Sequence, residues 1–556
     1  MQESYLRPKV AAALEKLGWG GADLITFDIP KNPEHGDLSL NIAMKLAKTL
    51  GKNPRQVAME VIEALEYDAE AIANPEIAGP GFINFKFTGK FYTDALGQIL
   101  SEGGSFGRSS SNAGKRVNVE YVSVNPTGLL HLGHGRNACF GDAVANLYQW
   151  TGYEVTREYY FNNAGNQMKN LAKSVHARYV QMVNPDFEFP ENGYHGEYVK
   201  TIAELFREER GEGFEEETTE NLLEFQKFGE KWCFERITHT LARMNIRQDV
   251  FYNEDSLYSE GKIKEVIQKF RDLGLVYEKD GATWLKFSEL GLESDRVIIK
   301  STGEPTYRLP DIAYHVEKFK RGFDLLVDVF GADHIATIPD VLAAVKALGY
   351  DPAKVNVLIH QFVTLTENGE QVKMSKRTGK SYTLDELLDE VGEDVVRFFL
   401  IMRSVGTHLE FDLALAREQS DKNPVFYLQY AHARISSIFE KAREASAMPD
   451  NFLTSLAEGS ANVDLNLLRD PAEIDLVKKL ARFPIIVAAA AEKNEPHALC
   501  EYLREIAVKY HAFYHDCRVI TDDAKLTLAR LALCRAAQTA LKNGLTILGV
   551  SAPDKM

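Results

Sequence analysis

The sequence predicts an α/β protein built on a parallel sheet, preceded by a small α+β unit and followed by an all-α helix bundle. Three observations carry this. From Arg116 to about residue 423, short β-branched apolar runs alternate with longer stretches of helical periodicity, as in a parallel sheet with crossover helices. Before residue 100, helical stretches mix with short strand-like pieces. Past Asn423-Pro424 the apolar residues recur at spacings of three and four, as in VFYLQYAHARISSIF and LCEYLREIAVKYHAFYHDC.

In the first unit, residues 1–100, helical patterns fall at Lys9–Leu17, Leu40–Leu50 and Pro54–Leu65, and strand-like pieces at Ile25–Ile29 and Gly81–Phe87. Phe82, Phe85 and Phe87 read as a strand packed on its helices, with an exposed base-stacking platform as the alternative. Ser101–Lys115, SEGGSFGRSSSNAGK, is Gly/Ser-rich and reads as a linker at a domain boundary. Residues 116–423 form the α/β unit, with an insertion at about 170–300. Residues 424–556 form the bundle, in which Tyr427, Tyr430, Tyr510, Phe513 and Tyr514 read as core, with base stacking as the alternative.

The α/β unit opens with the strand-like run Val117–Val124. Asn125-Pro126-Thr127-Gly128 breaks it, and helical spacing runs from Gly133 to Trp150. A helix start after a strand points free backbone N–H groups at whatever sits there, and phosphate is the natural guest. His131 and His134 stand at that entrance, flanked by Gly133 and Gly135, where they can put two donors on one developing oxyanion. Further strand-like runs are Glu154–Tyr160, Asp324–Phe330 and Val355–Val363, with a helix at Asp340–Leu348. After the last run comes Lys373-Met374-Ser375-Lys376-Arg377, then Thr378-Gly379-Lys380. Four cations in eight residues on a Gly-containing loop suit a polyphosphate. A solvated basic turn is the plainer alternative.

Glu120, Ser123 and Asn125 flank the His loop, and Tyr307 and Asp311 sit four apart in TYRLPDIAYH. Two carboxylates, a phenol and an amide near one cleft suit a guanidinium, which offers five donors in a fixed fork. A lysine ammonium fits less specifically, and an ordinary ion-pair network remains an alternative.

Composition narrows the class. A chain of 556 residues exceeds one core, so three or four domains are expected. The 45% apolar and 26% charged content fits a soluble globular protein. No apolar run approaches membrane-spanning length and no signal peptide is read, so the expected location is cytoplasmic. The net charge of −16 argues against a non-specific nucleic-acid binder and against DNA. Residues 424–556 carry 16 Lys+Arg against 16 Asp+Glu, so the whole excess lies before them and a basic face on the bundle is allowed. The five scattered cysteines form neither a metal pair nor a disulfide framework, so no protein-bound zinc or other metal is expected.

The phrases His131-Leu132-Gly133-His134 and Lys373-Met374-Ser375-Lys376-Arg377 resemble the two signatures of class I aminoacyl-tRNA synthetases, HIGH and KMSKS, departing at Leu132 and Arg377. The phrases EYVSVNPTGLLHLGHGR, PEHGDLSLNIAMKLAK, YRLPDIAYH, GADH, VKMSKR, NPVFYLQYAHARI and LKNGLTILGVSAPDKM resemble arginyl-tRNA synthetases, in order over almost the full length. The resemblance implies a Rossmann-like catalytic domain over 116–423, a tRNA-contacting domain over 1–100 and an anticodon-binding domain over 424–556. It implies ATP, with Mg²⁺ accompanying it, L-arginine and tRNA(Arg), and an arginine activation that usually needs bound tRNA. A monomer is expected. Roles carry over residue by residue. His131, His134, Lys373 and Lys376 act on ATP, with Gly133, Gly135, Met374, Ser375 and Arg377 lining its site. Glu120, Tyr307 and Asp311 meet the guanidinium, Ser123 and Asn125 the polar end of the amino acid, and Asp333 is a further pocket residue. The family's Asp-Ala-Leu-Arg phrase stands here as His497-Ala498-Leu499-Cys500, which removes a basic residue at position 500. A class I synthetase for another amino acid, or a tRNA-binding paralogue without catalysis, are the rival readings.

Overall fold

The computed structural model describes every residue except Lys31 and residues 373–381. Its centre is a five-stranded parallel sheet in the order Val355–His360, Leu325–Gly331, Arg116–Glu120, Glu154–Phe161, Val250–Asn253. The chain starts in the middle, builds outward on one side, then crosses to the other. The order therefore reverses between Arg116–Glu120 and Leu325–Gly331, and a crevice opens there beyond the carboxyl ends of the strands. The helix Leu132–Trp150 follows the first strand and the helix Arg308–Lys320 precedes Leu325–Gly331.

Two strands stop earlier than their apolar runs predict. The run from Val117 leaves strand geometry after Glu120, because Val122 and Ser123 take left-handed φ values of 71° and 47°. Asn137 holds this turn, accepting from the Val122 N–H and donating to the Val329 carbonyl. The run from Val355 breaks at Gln361–Phe362. There the Arg136 guanidinium collects the carbonyls of Gln361, Thr407 and Ser404 at 2.7–3.0 Å, and a second short strand, Val363–Glu367, begins.

The stretch expected as one insertion, about 170–300, is split. The helices Gly165–Gln181, Glu197–Arg210 and Thr219–Arg243 enclose a core of their own around Phe206 and Phe225. The chain then returns to the main sheet at Val250–Asn253, pairing parallel with Glu158–Phe161. That strand is four residues long and its partly exposed VFYN pattern gives little periodic signal. A small antiparallel sheet, Val276–Lys279, Ala282–Leu285 and Arg296–Ile299, follows.

The first hundred residues fold as a four-stranded antiparallel sheet with helices, including Gln2–Lys16 and Gly89–Glu102. Phe85 and Phe87 are buried in its core, so GFINFKF packs inward. Past residue 424 the chain is helical, dominated by Pro424–Glu444, Pro496–Asp516 and Ala524–Leu548. Cys500 is buried inside this bundle. No helix among the described residues is long and apolar enough to cross a membrane.

Residues 101–115 are strapped down, although their Gly/Ser content reads as a free linker. Phe106 is fully buried and stacks on Phe483 of the bundle, and the Asn543 amide donates to the carbonyls of Gly103 and Phe106. Gly107, at φ 93°, lies against the Phe483 ring where a Cβ has no room. The glycine here permits close approach, not flexibility.

The bundle also grips the helix Leu132–Trp150 through a buried arginine. Arg397 donates to Asp142 Oδ2 at 2.6 Å, to the Met244 carbonyl and to the Leu548 carbonyl at the end of the last helix. Asn146, one turn beyond Asp142, donates to Ile547 O. Removing one partner of a buried ion pair strands the other charge. Arg397→Met is therefore expected to lower the unfolding free energy by about 3–5 kcal/mol in urea titration. A loss below about 1 kcal/mol would contradict this reading of the contact.

Candidate active site

The His loop is built by its own imidazoles. His131 is the N-cap of the helix Leu132–Trp150. Its Nδ1 accepts from the backbone N–H groups of Gly133 and His134, and the His131 N–H donates to His134 Nδ1. The two rings stack at 3.5 Å with 22° between planes. This is a capping box made of two histidines. An Nδ1 that accepts carries no proton, so each neutral ring keeps its proton on Nε2, facing away from the helix as a donor. Desolvation in the crevice lowers the His131 pKa, and burial with His131 and His360 nearby pulls His134 down to about 3. Both rings are neutral donors at pH 7.

The glycines serve this geometry. A Cβ on Gly133 would press on the His131 ring at 3.1 Å, and one on Gly135 would meet Leu384 at 2.9 Å. Gly135 is buried, so its role is packing. Leu384 opens the helix Leu384–Val391, which follows the basic loop. Thr383 pairs with His131 in an isolated antiparallel bridge, and the Leu384 N–H donates to Leu130 O at 2.8 Å. The chain leaving the basic loop is thus stapled to the His loop. Lys373, Met374, Ser375, Lys376 and Arg377 themselves lie outside the described residues.

Beside the His loop, at the switch point, lies a row of buried carboxylates. Asp328, Glu120 and Glu158 occupy the same level on three adjacent parallel strands, so all three point to one face. The helix Arg308–Lys320 lies over them and presents Asp311, Tyr314, His315 and Lys318 at helical spacing. Lys318, fully buried, pairs with Glu120 and with Asp328 Oδ1 at 2.5 Å. His315 Nε2 meets Asp328 Oδ2 at 2.9 Å while its Nδ1 meets the Asp311 carbonyl at 2.8 Å. Both partners are acceptors, so the ring satisfies both by being protonated. Against burial, Asp328 raises its pKa accordingly. Arg321 forks onto Glu158 at 2.6 and 2.7 Å, and Tyr314 and Asn118 donate to the same carboxylate. Although burial opposes it, Arg321 and Lys318 hold Glu158 below the usual carboxylate range. Lys318 and His315 do the same for Asp328.

Three cations thus face three carboxylates. Asp311 is left over. Burial pushes its pKa up to about 7, with Glu120 and Glu254 adding to the rise. Burial also raises Glu120, which Lys318 counters. The pocket holds more acid than its internal cations neutralise.

Other expected residues take different places. Ser123 Oγ donates to Glu120 Oε1 at 2.9 Å and accepts from the Tyr160 N–H, so it braces the carboxylate. Asn125 accepts from the Asn162 N–H and donates to Gln167, tying two loops at the crevice rim. Tyr307, at the N-terminal end of the helix Arg308–Lys320, is 84% exposed. Asp333 sits on the exposed turn after Leu325–Gly331, close to His334. The reading of the sequence missed Lys318, His315, Asp328, Glu158 and Arg321. One signal was available: a charge inside the apolar run LLVDVF, and Lys318 seven residues, two helical turns, past Asp311.

A parallel sheet whose order reverses beside a His-capped helix fits the catalytic domain of a class I aminoacyl-tRNA synthetase, and the family match makes that class definite. The family model described as "tRNA synthetases class I (R), catalytic domain" matches residues 95–400. The "Arginyl tRNA synthetase N terminal domain" matches 4–87 and the "DALR anticodon binding domain" matches 428–556. The chain is 48% identical to an arginine–tRNA ligase of Salinibacter ruber over the full length of both, and 50% identical to one of Desulfotalea psychrophila over 96% of this chain and 95% of that one. Among solved structures, a putative arginyl-tRNA synthetase of Campylobacter jejuni aligns with TM-score 0.77 at 30% identity, covering 84% of this chain and 99% of that one. The Thermus thermophilus enzyme shares the fold over the whole of both chains at TM-score 0.76 and 22% identity. The chain belongs to the arginine–tRNA ligases.

The tautomers are directly checkable. Long-range ¹⁵N–¹H spectra of the histidines are expected to show bare Nδ1 and protonated Nε2 for both rings, with no titration of His134 between pH 5 and 8. A midpoint near 6.5 for His134 would contradict the buried capping box.

Proposed function

We propose that this site joins L-arginine to tRNA(Arg) in two steps. Arginine's carboxylate attacks the α-phosphate of ATP, forming arginyl-adenylate and releasing pyrophosphate. The 2′-hydroxyl of the terminal adenosine of tRNA then takes the arginyl group and AMP leaves. The observation that carries this reading is the adjacency of two unlike sites: a pair of neutral imidazole donors at a helix N-terminus, and a buried pocket with surplus acid.

In the first step charge builds on the α-phosphate oxygens and on the departing pyrophosphate. The Nε2–H groups of His131 and His134 answer the first charge, at a helix start whose Gly133 and His134 N–H groups are capped by His131 Nδ1. Being neutral, the imidazoles act here as hydrogen-bond donors alone, and the carboxylate nucleophile has no proton to give up. Lys373 and Lys376 are assigned to the leaving pyrophosphate. Lys376 stands seven residues before Thr383, a tether of at most about 25 Å from the residue that pairs with His131. Mg²⁺ would come with ATP as part of the substrate and would offset phosphate charge while asking for few protein ligands.

In the pocket, Glu120 and Asp311 take the guanidinium. An arginine fork reaches two carboxylates at once, which a lysine ammonium does less well. Tyr307, exposed at the helix start, is placed to close over the bound amino acid. The tRNA reading is supported by a cleft of about 380 Å³ on the bundle, lined by Phe426, Tyr427, Tyr430, Arg434 and His511. Phe426 and Tyr430 are parallel, and the Arg434 guanidinium lies over the Tyr430 and Tyr514 rings. Aromatic faces beside an arginine suit an unstacked base. Tyr510 and Phe513, by contrast, are buried core.

The reaction is tested by ATP–pyrophosphate exchange, expected only with arginine among the amino acids and stimulated by tRNA; its absence under both conditions would defeat the reading. His134→Ala is expected to slow exchange by about 10²–10³ while arginine affinity is kept. The arginine pocket has its own pH signature. Asp311 is neutral below about 7 in the free enzyme, and only its ionised form pairs with a guanidinium. Arginine's KM should therefore fall as pH rises from 6 through about 7 and level off above it. Asp311→Asn should raise that KM by roughly tenfold or more and abolish its pH dependence. An unchanged profile in this variant would remove Asp311 from the pocket.

A further inference from the structure

Lys318 stands out among the groups that this chemistry leaves unused. It is a fully buried ammonium on the helix Arg308–Lys320, two turns past Asp311, and it reaches across the switch point to Glu120 on one strand and Asp328 on the next. It sits 4.4 Å from the centre of the Tyr314 ring, which fixes its approach. Asp328 has a second paired cation, His315; among the described residues Glu120 is paired with Lys318 alone. Its remaining contact is the Ser123 hydroxyl on Oε1. Among the described residues, Lys318 is therefore the cation paired directly with Glu120, and the Ser123 hydroxyl is the second group that orients it.

We propose that Lys318 is a positioning residue for the amino-acid pocket: its ammonium, bridging Glu120 and Asp328, fixes the Glu120 carboxylate in the charged state and orientation that meets the substrate's guanidinium. The inference rests on the assignment of Glu120 and Asp311 to that guanidinium. It adds a reason for preferring a fork. One point of the acidic row is already filled by an internal ammonium, so an incoming point cation meets like charge there. A guanidinium spreads its charge between Glu120 and Asp311 instead.

The electrostatic surroundings of Glu120 are all accounted for. From its own helix partner come Asp311, Tyr314, His315 and Lys318, with Arg321 just beyond. From the neighbouring strands come Asp328 on one side and Glu158 and Tyr160 on the other. Glu254, bound by the Tyr160 hydroxyl, closes the far side. Of these, the cations other than Lys318 are committed: Arg321 to Glu158, His315 to Asp328. None is free to replace it.

The test uses the full-length enzyme and arginine-dependent exchange with tRNA present, from pH 6 to 9, on Lys318→Met, Lys318→Arg and Glu120→Gln. Lys318→Met is expected to raise arginine's KM at pH 7 by about tenfold or more, since each unit by which the Glu120 pKa rises above the assay pH cuts its charged fraction by about a factor of ten. The deficit should shrink toward pH 9, where Glu120 ionises without help. Affinity for tRNA should stay within about twofold of the parent. Lys318→Arg should recover most of the KM, because the charge is retained. Glu120→Gln separates the two claims: if it leaves arginine's KM unchanged, the pocket assignment itself fails. If Glu120→Gln raises KM but Lys318→Met only lowers the melting temperature or kcat, with KM and its pH profile unmoved, the positioning role is overturned. Should Lys318→Met fail to fold, Lys318→Gln, neutral but able to hydrogen-bond, carries the same expectation.

Discussion

Burial of three carboxylates side by side is the constraint on which the rest of this molecule turns. Asp328, Glu120 and Glu158 lie level on adjacent strands, almost wholly out of solvent. Uncompensated, each would cost several kcal/mol. The helix Arg308–Lys320 compensates them, and it can do so in only one register, with Lys318 over the gap between Glu120 and Asp328 and Arg321 on Glu158. Electrostatics thereby adds to the apolar packing of Leu309, Ile312 and Val316 in fixing where this helix sits. That helix in turn delivers Asp311 and Tyr307 to the mouth of the crevice. A structure organised by apolar contact would lack the surplus acid that a cationic substrate needs.

A second dependence runs along the helix Leu132–Trp150. Its first turn is capped by two stacked imidazoles, its side holds the Gln361 region through Arg136, and its middle is bound through Asp142 and Asn146 to the last helix of the chain. The capping imidazoles and the surface that carries the bundle are parts of one helix. The strap at residues 101–115 and the ion pair Asp37–Lys478 tie the N-terminal unit to the same bundle. The His loop, the N-terminal unit and the bundle thus share a mechanical frame.

Much of this was readable from the residues alone. The strand–loop–helix at Val117–Trp150 and the helical C-terminal bundle are strong signals, because chemistry concentrates in short phrases and periodicity persists over long helices. What escaped was of four kinds. The strand Val250–Asn253 is too short to leave a periodic trace inside a long polar region. Gly/Ser content at 101–115 marks close packing as readily as flexibility, and only a partner such as Phe483 distinguishes the two. The counter-ions Lys318, His315 and Arg321 look like an ordinary solvated helix face until the sheet beneath is known to be acidic. The imidazole capping box was also invisible, since histidine is not a usual cap and its role depends on a ring–ring stack.

The central claim is spatial: the imidazole donors and the acidic pocket serve two ends of one substrate. A crystal structure of the enzyme with a non-hydrolysable sulfamoyl analogue of arginyl-adenylate tests it most directly. The account predicts the guanidinium within hydrogen-bonding distance of Glu120 and Asp311, Lys318 still bridging Glu120 and Asp328, and the sulfamoyl oxygens facing Nε2 of His131 and His134. An analogue whose guanidinium lies away from the switch point, or whose sulfamoyl group contacts neither imidazole, would contradict it.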